Sequence, residues 1–316
     1  MEDERCMKCI HRRVCDSMRQ AKITAYAKIN LVLDVLRKRE DGYHEVAMVM
    51  QAVDLSDNIY LKEADRNWIT TNNRHIPMNM NNLAMRAVTL MQREFPGRVP
   101  KIEVSLEKHI PVSAGMAGGS TDCAGVMLGI NKMCNLDLTR KELELLAGQL
   151  GSDIPFCIGG PTALATGRGE IIEPLPDCPE LHLVIVKPPF GISTPKVYGN
   201  LRADEIVDHP DVQACISGLE LKDKQMILSA MGNVLEESTF ELQPKVKTIK
   251  KGMSACGAKH VLMSGSGPTV FAAFAEKSEA EAYYNQLKPQ YPGAILTRTV
   301  NKEQLEERVD LYDQRT

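Results

Sequence analysis

The chain predicts an α+β protein built as two domains, and two observations carry that expectation. Its 316 residues are more than one hydrophobic core usually serves. Its strand-like and helix-like patterns alternate, yet several strand patterns sit next to one another as antiparallel pairs in both halves. No internal repeat or low-complexity tract competes with this reading.

Taken in order, Lys22–Leu36 alternates β-branched and aromatic residues and predicts a strand. A turn over Arg37–Gly42 leads to a second strand, His44–Val53, pairing with the first. Asn58–Leu61 and Trp68–Thr71 read as short edge strands, and Asn82–Phe95 has apolar residues at helical spacing. The Lys101–Leu106 alternation is a further strand. Thr139 and Glu142 form the pattern of a capping box, opening a helix that ends at Gly148 or Gly151. Thr162–Thr166 is a strand, and the Gly-, Pro- and acid-rich stretch Arg168–Pro176 reads as a crossing between domains. Beyond it come strand Leu181–Val186, a helix start at Thr194-Pro195, and helices over 225–237 and 244–256. Strand His260–Met263, a tight Ser264–Gly267 loop, strand Pro268–Phe274, helix Ser278–Leu287 and strand Ala294–Arg298 follow.

Between the Lys101–Leu106 strand and an apolar helical face at Val126–Ile130 lies Ile110–Gly125, which holds Gly115, Gly118 and Gly119 before Ser120 and Thr121. Glycines let backbone N–H groups approach an anion closely, and a helix start adds unsatisfied donors and partial positive charge. The stretch predicts a phosphate cradle for a nucleotide; the competing explanation is a tight turn under packed elements. It is not a Walker A loop, because no Lys precedes Ser120, and its glycine spacing is not that of the dinucleotide fingerprint. Protein-kinase signatures are absent. Lys28 and Asn30 share one strand face, as either a site or a solvated edge. Asp153 reads as a helix cap or a functional carboxylate.

Formal net charge is −3 with 25% charged residues, which argues against nucleic acid or an anionic membrane as the main partner. No apolar run is long enough to cross a bilayer, no signal peptide is visible, and a cytoplasmic location is expected. Nine cysteines, mostly scattered singly, fit reduced thiols rather than a disulfide framework. Residues 1–18 read as a flexible leader carrying Cys6, Cys9, His11 and Cys15. Half of a zinc pattern is there without its second half, and translation could equally begin at Met18. A monomer or weak homodimer is expected.

Three stretches together resemble the GHMP kinase superfamily: Ala25–Leu31 around Lys28 and Asn30, the cradle Pro111–Thr121, and the loop Met263–Thr269. Within it, Arg39–His44, Leu150–Phe156 and Gly191–Pro195 resemble the branch that acts on cytidine diphosphate methylerythritol. The resemblance implies a two-domain fold, with a ribosomal-protein-S5-like domain over 19–166 and a ferredoxin-like domain over 167–316 that helps bind substrate. It implies ATP as co-substrate, Mg²⁺, and an alcohol as phosphoryl acceptor. It places ATP on Pro111, Val112, Ser113, Ala114, Gly115, Met116, Ala117, Gly118, Gly119, Ser120 and Thr121, with Asn82 on the adenine side. Asp153 becomes the catalytic base and Lys28 its cationic partner. Tyr43 and Tyr198 are expected to sandwich the cytosine while His44 pairs with its edge, Asn30 and Thr194 touch substrate, and Gly265, Ser266 and Gly267 form the C-terminal glycine loop. Asp122, an anion in the first helical turn, has no assigned role. Two rival functions compete with this one: a homoserine, mevalonate or sugar kinase of the same superfamily, and a nucleotide sensor without chemistry.

Overall fold

A computed structural model describes residues 20–312, so the leader and its cysteines lie outside the described residues. In chain order the elements are β1 (Gln20–Lys38), β2 (His44–Glu63), β3 (Trp68–Thr71), α1 (Leu83–Glu94), β4 (Ile102–Glu107), α2 (Gly118–Met133), α3 (Arg140–Ala147), α4 (Ile154–Gly159), β5 (Thr162–Thr166) and β6 (Ile171–Pro174). There follow β7 (His182–Val186), α5 (Thr194–Asn200), α6 (Val212–Glu220), α7 (Lys224–Ala230), β8 (Gly232–Asn233), α8 (Leu235–Leu242), α9 (Pro244–Ala255), β9 (His260–Met263), β10 (Val270–Phe274), α10 (Lys277–Leu287), β11 (Ile295–Arg298), α11 (Lys302–Glu306) and β12 (Val309–Tyr312).

The first sheet has eight strands in a path β12-β1-β2-β4-β3, with β5 joined to β2, β6 to β5, and β8 to β1. The second is an antiparallel sheet ordered β11-β7-β10-β9. Helices accompany both sheets, so the α+β expectation holds. The sequence boundary at 166/167 is not a boundary between sheets, because β6, β8 and β12 all join the first one. β2 is also one strand where the sequence suggested two. Tyr26 faces Ser56 and Ala27 faces Val53, so the polar Asp54 and its neighbour Leu55 are taken up as a bulge. The expected 225–237 helix is interrupted: Gly232-Asn233 pairs in parallel with Val32-Leu33 of β1.

Bulges in the β1–β2 ladder decide which residues of β1 meet the site. Register shifts fall between Tyr26 and Ala27 and again between Asn30 and Val32. Ala21, Ile23 and Ala25 belong to the first core, under α1 and α2. Ala27, Ile29 and Leu31 belong instead to a second core with Leu183, Ile185 and Phe271 of the second sheet and Cys215 and Leu219 of α6. A bulge re-aims side chains by breaking the alternation of the pleat. The segment between the two shifts therefore turns Lys28 and Asn30 away from that second core. Close packing of α2 fixes the other wall: a Cβ on Gly125 would lie 2.5 Å from Ile59 Cδ1.

Candidate active site

Residues 111–117 form a loop held in unusual backbone conformations, with Ser113 at φ 51°, Gly115 at φ 73° and Ala117 at φ 58°. Left-handed non-glycine residues carry strain of order 1 kcal/mol or more each and cluster at functional loops. Ala117 is the N-cap of α2 and offers no side-chain cap, so the helix opens at Gly118 rather than at the Ser120 hydroxyl expected from sequence. The first N–H groups of α2 thus have no intrahelical acceptor and no side-chain cap, the arrangement that accepts phosphate.

The two glycine loops are built against each other. A Cβ on Gly115 would lie 2.9 Å from Gly267 O and nearer still to Ser264 O, so no larger residue fits. Ser264 Oγ donates to Gly115 O at 3.0 Å, and Lys28 N donates to Met116 O at 3.2 Å. From behind, Asn233 Nδ2 holds both Met263 O and Gly265 O at 2.8 Å. Thr194 and Ser266 share a hydroxyl–hydroxyl bond of 2.8 Å, which ties α5 to the same loop.

These loops border a cleft of about 780 Å³. Lining it are Pro111, Val112, Ser113, Ala114, Gly115, Ala117, Gly118, Gly119 and Ser120, together with Lys28, Tyr43, His44, Asp153, Thr194, Tyr198, Gly265 and Ser266. Lys28 is 4% exposed, and its Nζ lies 2.9 Å from Asn30 Oδ1 and 3.8 Å from Asp153 Oδ2. Asp153 stands at the N-cap of α4 but makes no capping bond, so its carboxylate is free to face Lys28. Burial first, and then the charge of Asp153, raise the Tyr198 hydroxyl and keep it protonated. The His44 ring centre lies 5.4 Å from that of Tyr198, tilted 38°. Burial, with Lys38 adding to it, holds the His44 imidazole below its ordinary value. Tyr43 is 55% exposed and carries the Arg168 guanidinium 4.9 Å over its ring.

Five expected site residues face elsewhere. Met116 is 1% exposed, and Thr121 is turned inward to donate to Tyr26 O at 2.8 Å. Asn30 is fully buried, holding Lys28 and donating to Met48 Sδ at 3.5 Å, so it orients the lysine and does not line the cleft. Asn82 caps α1 through Ala84 N at 2.9 Å and donates to Pro77 O at 2.9 Å. Gly267 packs behind its loop, toward Met263 and Thr239.

Sequence reasoning missed Lys38, Ile76, Leu83, Lys108 and Arg168, which also line the cleft. Lys108 explains Asp122. Its Nζ lies 2.5 Å from Asp122 Oδ2 and also contacts Asp57, whose other oxygen accepts from Ile110 N at 2.8 Å. Asp122 is therefore buried beneath the loop in a charge cluster and does not oppose a bound anion from within the cleft. Burial pushes its carboxyl up to about 7, Lys108 opposing and Asp57 adding to the rise.

Residues 82–161 match the model of the GHMP kinases N terminal domain, and residues 215–293 match that of the GHMP kinases C terminal. The 4-diphosphocytidyl-2-C-methyl-D-erythritol kinase of Geobacillus kaustophilus (strain HTA426) is 49% identical over 269 residues, 84% of this chain and 92% of that one. Its counterpart in Listeria monocytogenes serovar 1/2a (strain ATCC BAA-679 / EGD-e) is 47% identical over 268 residues, 84% of this chain and 91% of that one. A crystal structure of 4-(cytidine 5'-diphospho)-2C-methyl-D-erythritol kinase superposes with a TM-score of 0.74 at 31% identity, covering 88% of this chain and 98% of that one. A homoserine kinase from Cytophaga hutchinsonii ATCC 33406 reaches a TM-score of 0.73 at 18% identity, over 93% of this chain and 97% of that one, which is a likeness of fold alone. The chain is an ATP-dependent kinase and belongs to the GHMP kinases, within them to the 4-diphosphocytidyl-2-C-methyl-D-erythritol kinase family.

Proposed function

We propose that this kinase transfers the γ-phosphoryl group of ATP to the C2 hydroxyl of 4-diphosphocytidyl-2-C-methyl-D-erythritol, in the non-mevalonate route to isoprenoid precursors in the cytoplasm. The observation that carries the reading is the Lys28–Asp153 pair, 3.8 Å apart in a cleft shared by two glycine loops and the Tyr43, His44 and Tyr198 rings.

Phosphoryl transfer asks a protein chiefly to position two substrates and stabilise spread negative charge. The N–H groups at the start of α2 hold the ATP phosphates. Asp153 takes the proton of the C2 hydroxyl as its oxygen bonds to the γ-phosphorus, and the bond from that phosphorus to the β-phosphate oxygen breaks, releasing ADP. Lys28 stabilises the forming alkoxide and the negative charge spreading over the transferred phosphoryl group. A neutral His44 presents one ring nitrogen as donor and the other as acceptor, which suits the donor–acceptor edge of cytosine. Tyr43 and Tyr198 supply flat apolar surface for the base, and Lys38 and Arg168 supply cations for its diphosphate.

Among the described residues no group of three His, Cys, Asp or Glu side chains is placed to hold a metal, and Asp153 is the sole carboxylate lining the cleft. That sparse set suits Mg²⁺, which would bind chiefly through substrate phosphates and water, and Asp153 and Ser120 are the residues that would hold it. When bound, the ion neutralises phosphate charge.

The test is ADP release by the purified chain with Mg-ATP and the cytidylated alcohol, set beside mevalonate and homoserine. Turnover with the cytidylated alcohol alone supports the reading. Turnover with mevalonate or homoserine and silence with the cytidylated alcohol overturns it.

A further inference from the structure

Lys28 and Asp153 stand on different elements, β1 and α4, and their separation depends on what joins the two. Arg308, immediately before β12, touches both. Its backbone oxygen accepts from Thr24 N of β1 at 2.9 Å, four residues before Lys28, and its neighbour Val309 pairs with Ile23. Its guanidinium donates to Cys157 O at 2.8 Å and to Ile158 O at 2.6 Å, among the last carbonyls of α4. Cys157 lies one turn beyond Asp153, and Cys157 N completes the link by donating to Asp153 O at 3.3 Å.

The side chain is an unusual one to bury. Arg308 is 9% exposed, and among the described residues no carboxylate is ion-paired with it. Burial pulls its guanidinium down to about 10, which leaves it charged at neutral pH. A buried cation without an anion is costly. Its compensation is two charge-assisted bonds to helix-end carbonyls that otherwise have no acceptor role in the helix. Arg140 adds a third, donating to Gly159 O at 3.1 Å. None of these contacts involves the glycine loops, which have their own anchors in Ser264, Asn233 and the Met116–Lys28 bond.

We propose that Arg308 is a positioning residue for phosphoryl transfer: it holds β1 through its carbonyl and α4 through its guanidinium, and so sets the distance between Lys28 and Asp153. The inference rests on the roles given above to those two residues. A misplacement of about 1 Å at reacting groups is enough to cost on the order of 10²-fold in rate.

The experiment is a kinetic double-mutant cycle on the full chain with Arg308→Met, Arg308→Lys and Asp153→Asn. Arg308→Met should lower kcat about 10- to 50-fold with KM for ATP within about threefold, because the cradle is anchored independently. Arg308→Lys, which keeps the charge but reaches fewer carbonyls, should recover part of that loss. In the Asp153→Asn background Arg308→Met should cost less than about threefold more, since the group it positions is gone. Wild-type kcat in Arg308→Met overturns the inference, as does an additive loss in the cycle or a rise in KM for ATP that matches the fall in kcat. Failure of both Arg308 variants to fold also overturns it, making the residue a general folding anchor. If Asp153→Asn alone stays fully active, the base assignment fails; if it is inactive while Arg308→Met is normal, the positioning role alone fails.

Discussion

Lys28→Met removes the charge and keeps most of the side-chain volume, so its effect can be worked from two contacts. At 3.8 Å from Asp153 the pair interacts by about 4 kcal/mol at an effective dielectric of 20. The Asp153 side chain is 36% exposed, so solvent screening reduces this to roughly 2 kcal/mol. As Asp153 takes the proton the lysine's charge is turned to the forming alkoxide. A stabilisation of that same size there, roughly 2 kcal/mol, is about a 30-fold fall in kcat when lost, and more if the lysine also meets the transferred phosphoryl group. A second consequence is structural. Asn30 is fully buried and its Oδ1 would lose Lys28 Nζ, its 2.9 Å partner. An orphaned buried acceptor costs about 1–3 kcal/mol, seen as a Tm lowered by several degrees. The assay is coupled ADP release at saturating substrates, with thermal unfolding run in parallel. A variant whose Tm falls while kcat stays within threefold of the parent would refute the argument, leaving Lys28 a purely structural residue.

Two more outcomes follow from the same geometry. Gly115→Ala forces a Cβ into Ser264 O and 2.9 Å from Gly267 O at a positive φ, so KM for ATP should rise at least about tenfold; an unchanged KM would mean the loops do not form the cradle together. For His44, burial of the neutral ring lowers the folded pKa below the ordinary 6.5. Above 6.5 the ring is neutral in both folded and unfolded chains, so the group adds no pH dependence there. As pH falls below 6.5 the unfolded chain gains the proton first, so stability is lost, and below the lowered pKa KM for the cytidylated substrate should climb. His44→Gln should remove that acid limb from KM, and an identical limb in the variant would assign it to another group.

The pair proposed to carry the chemistry, Lys28 and Asp153, was legible because its members sit in short, distinctive stretches. Asp153 reads in sequence as a cap or a functional carboxylate; its side chain makes no capping bond and lies 3.8 Å from Lys28 Nζ. Side-chain direction was less legible. Thr121 directly follows Ser120 on α2, and about 100° of helical rotation turns it from the cleft to Tyr26 O. Asn82 carries the signature of an N-cap and is one. Least legible were contacts whose partners are remote in sequence. Asp57 on β2, Lys108 just past β4 and Asp122 on α2 converge, and Arg308 reaches a carbonyl 150 residues earlier. Strands β6 and β12 went unread: both are largely exposed, so neither has a buried face whose apolar pattern would mark it.

The most direct test of the account is Asp153→Asn, which keeps the shape of the side chain and removes its basicity. Measured together, nucleotide affinity and ADP release in the presence of the cytidylated alcohol should part company. Affinity for ATP should stay within about threefold of the parent while turnover drops by ~10² or more. Turnover at the parental rate, with the variant confirmed by mass, would contradict a carboxylate base at the meeting point of β1 and α4.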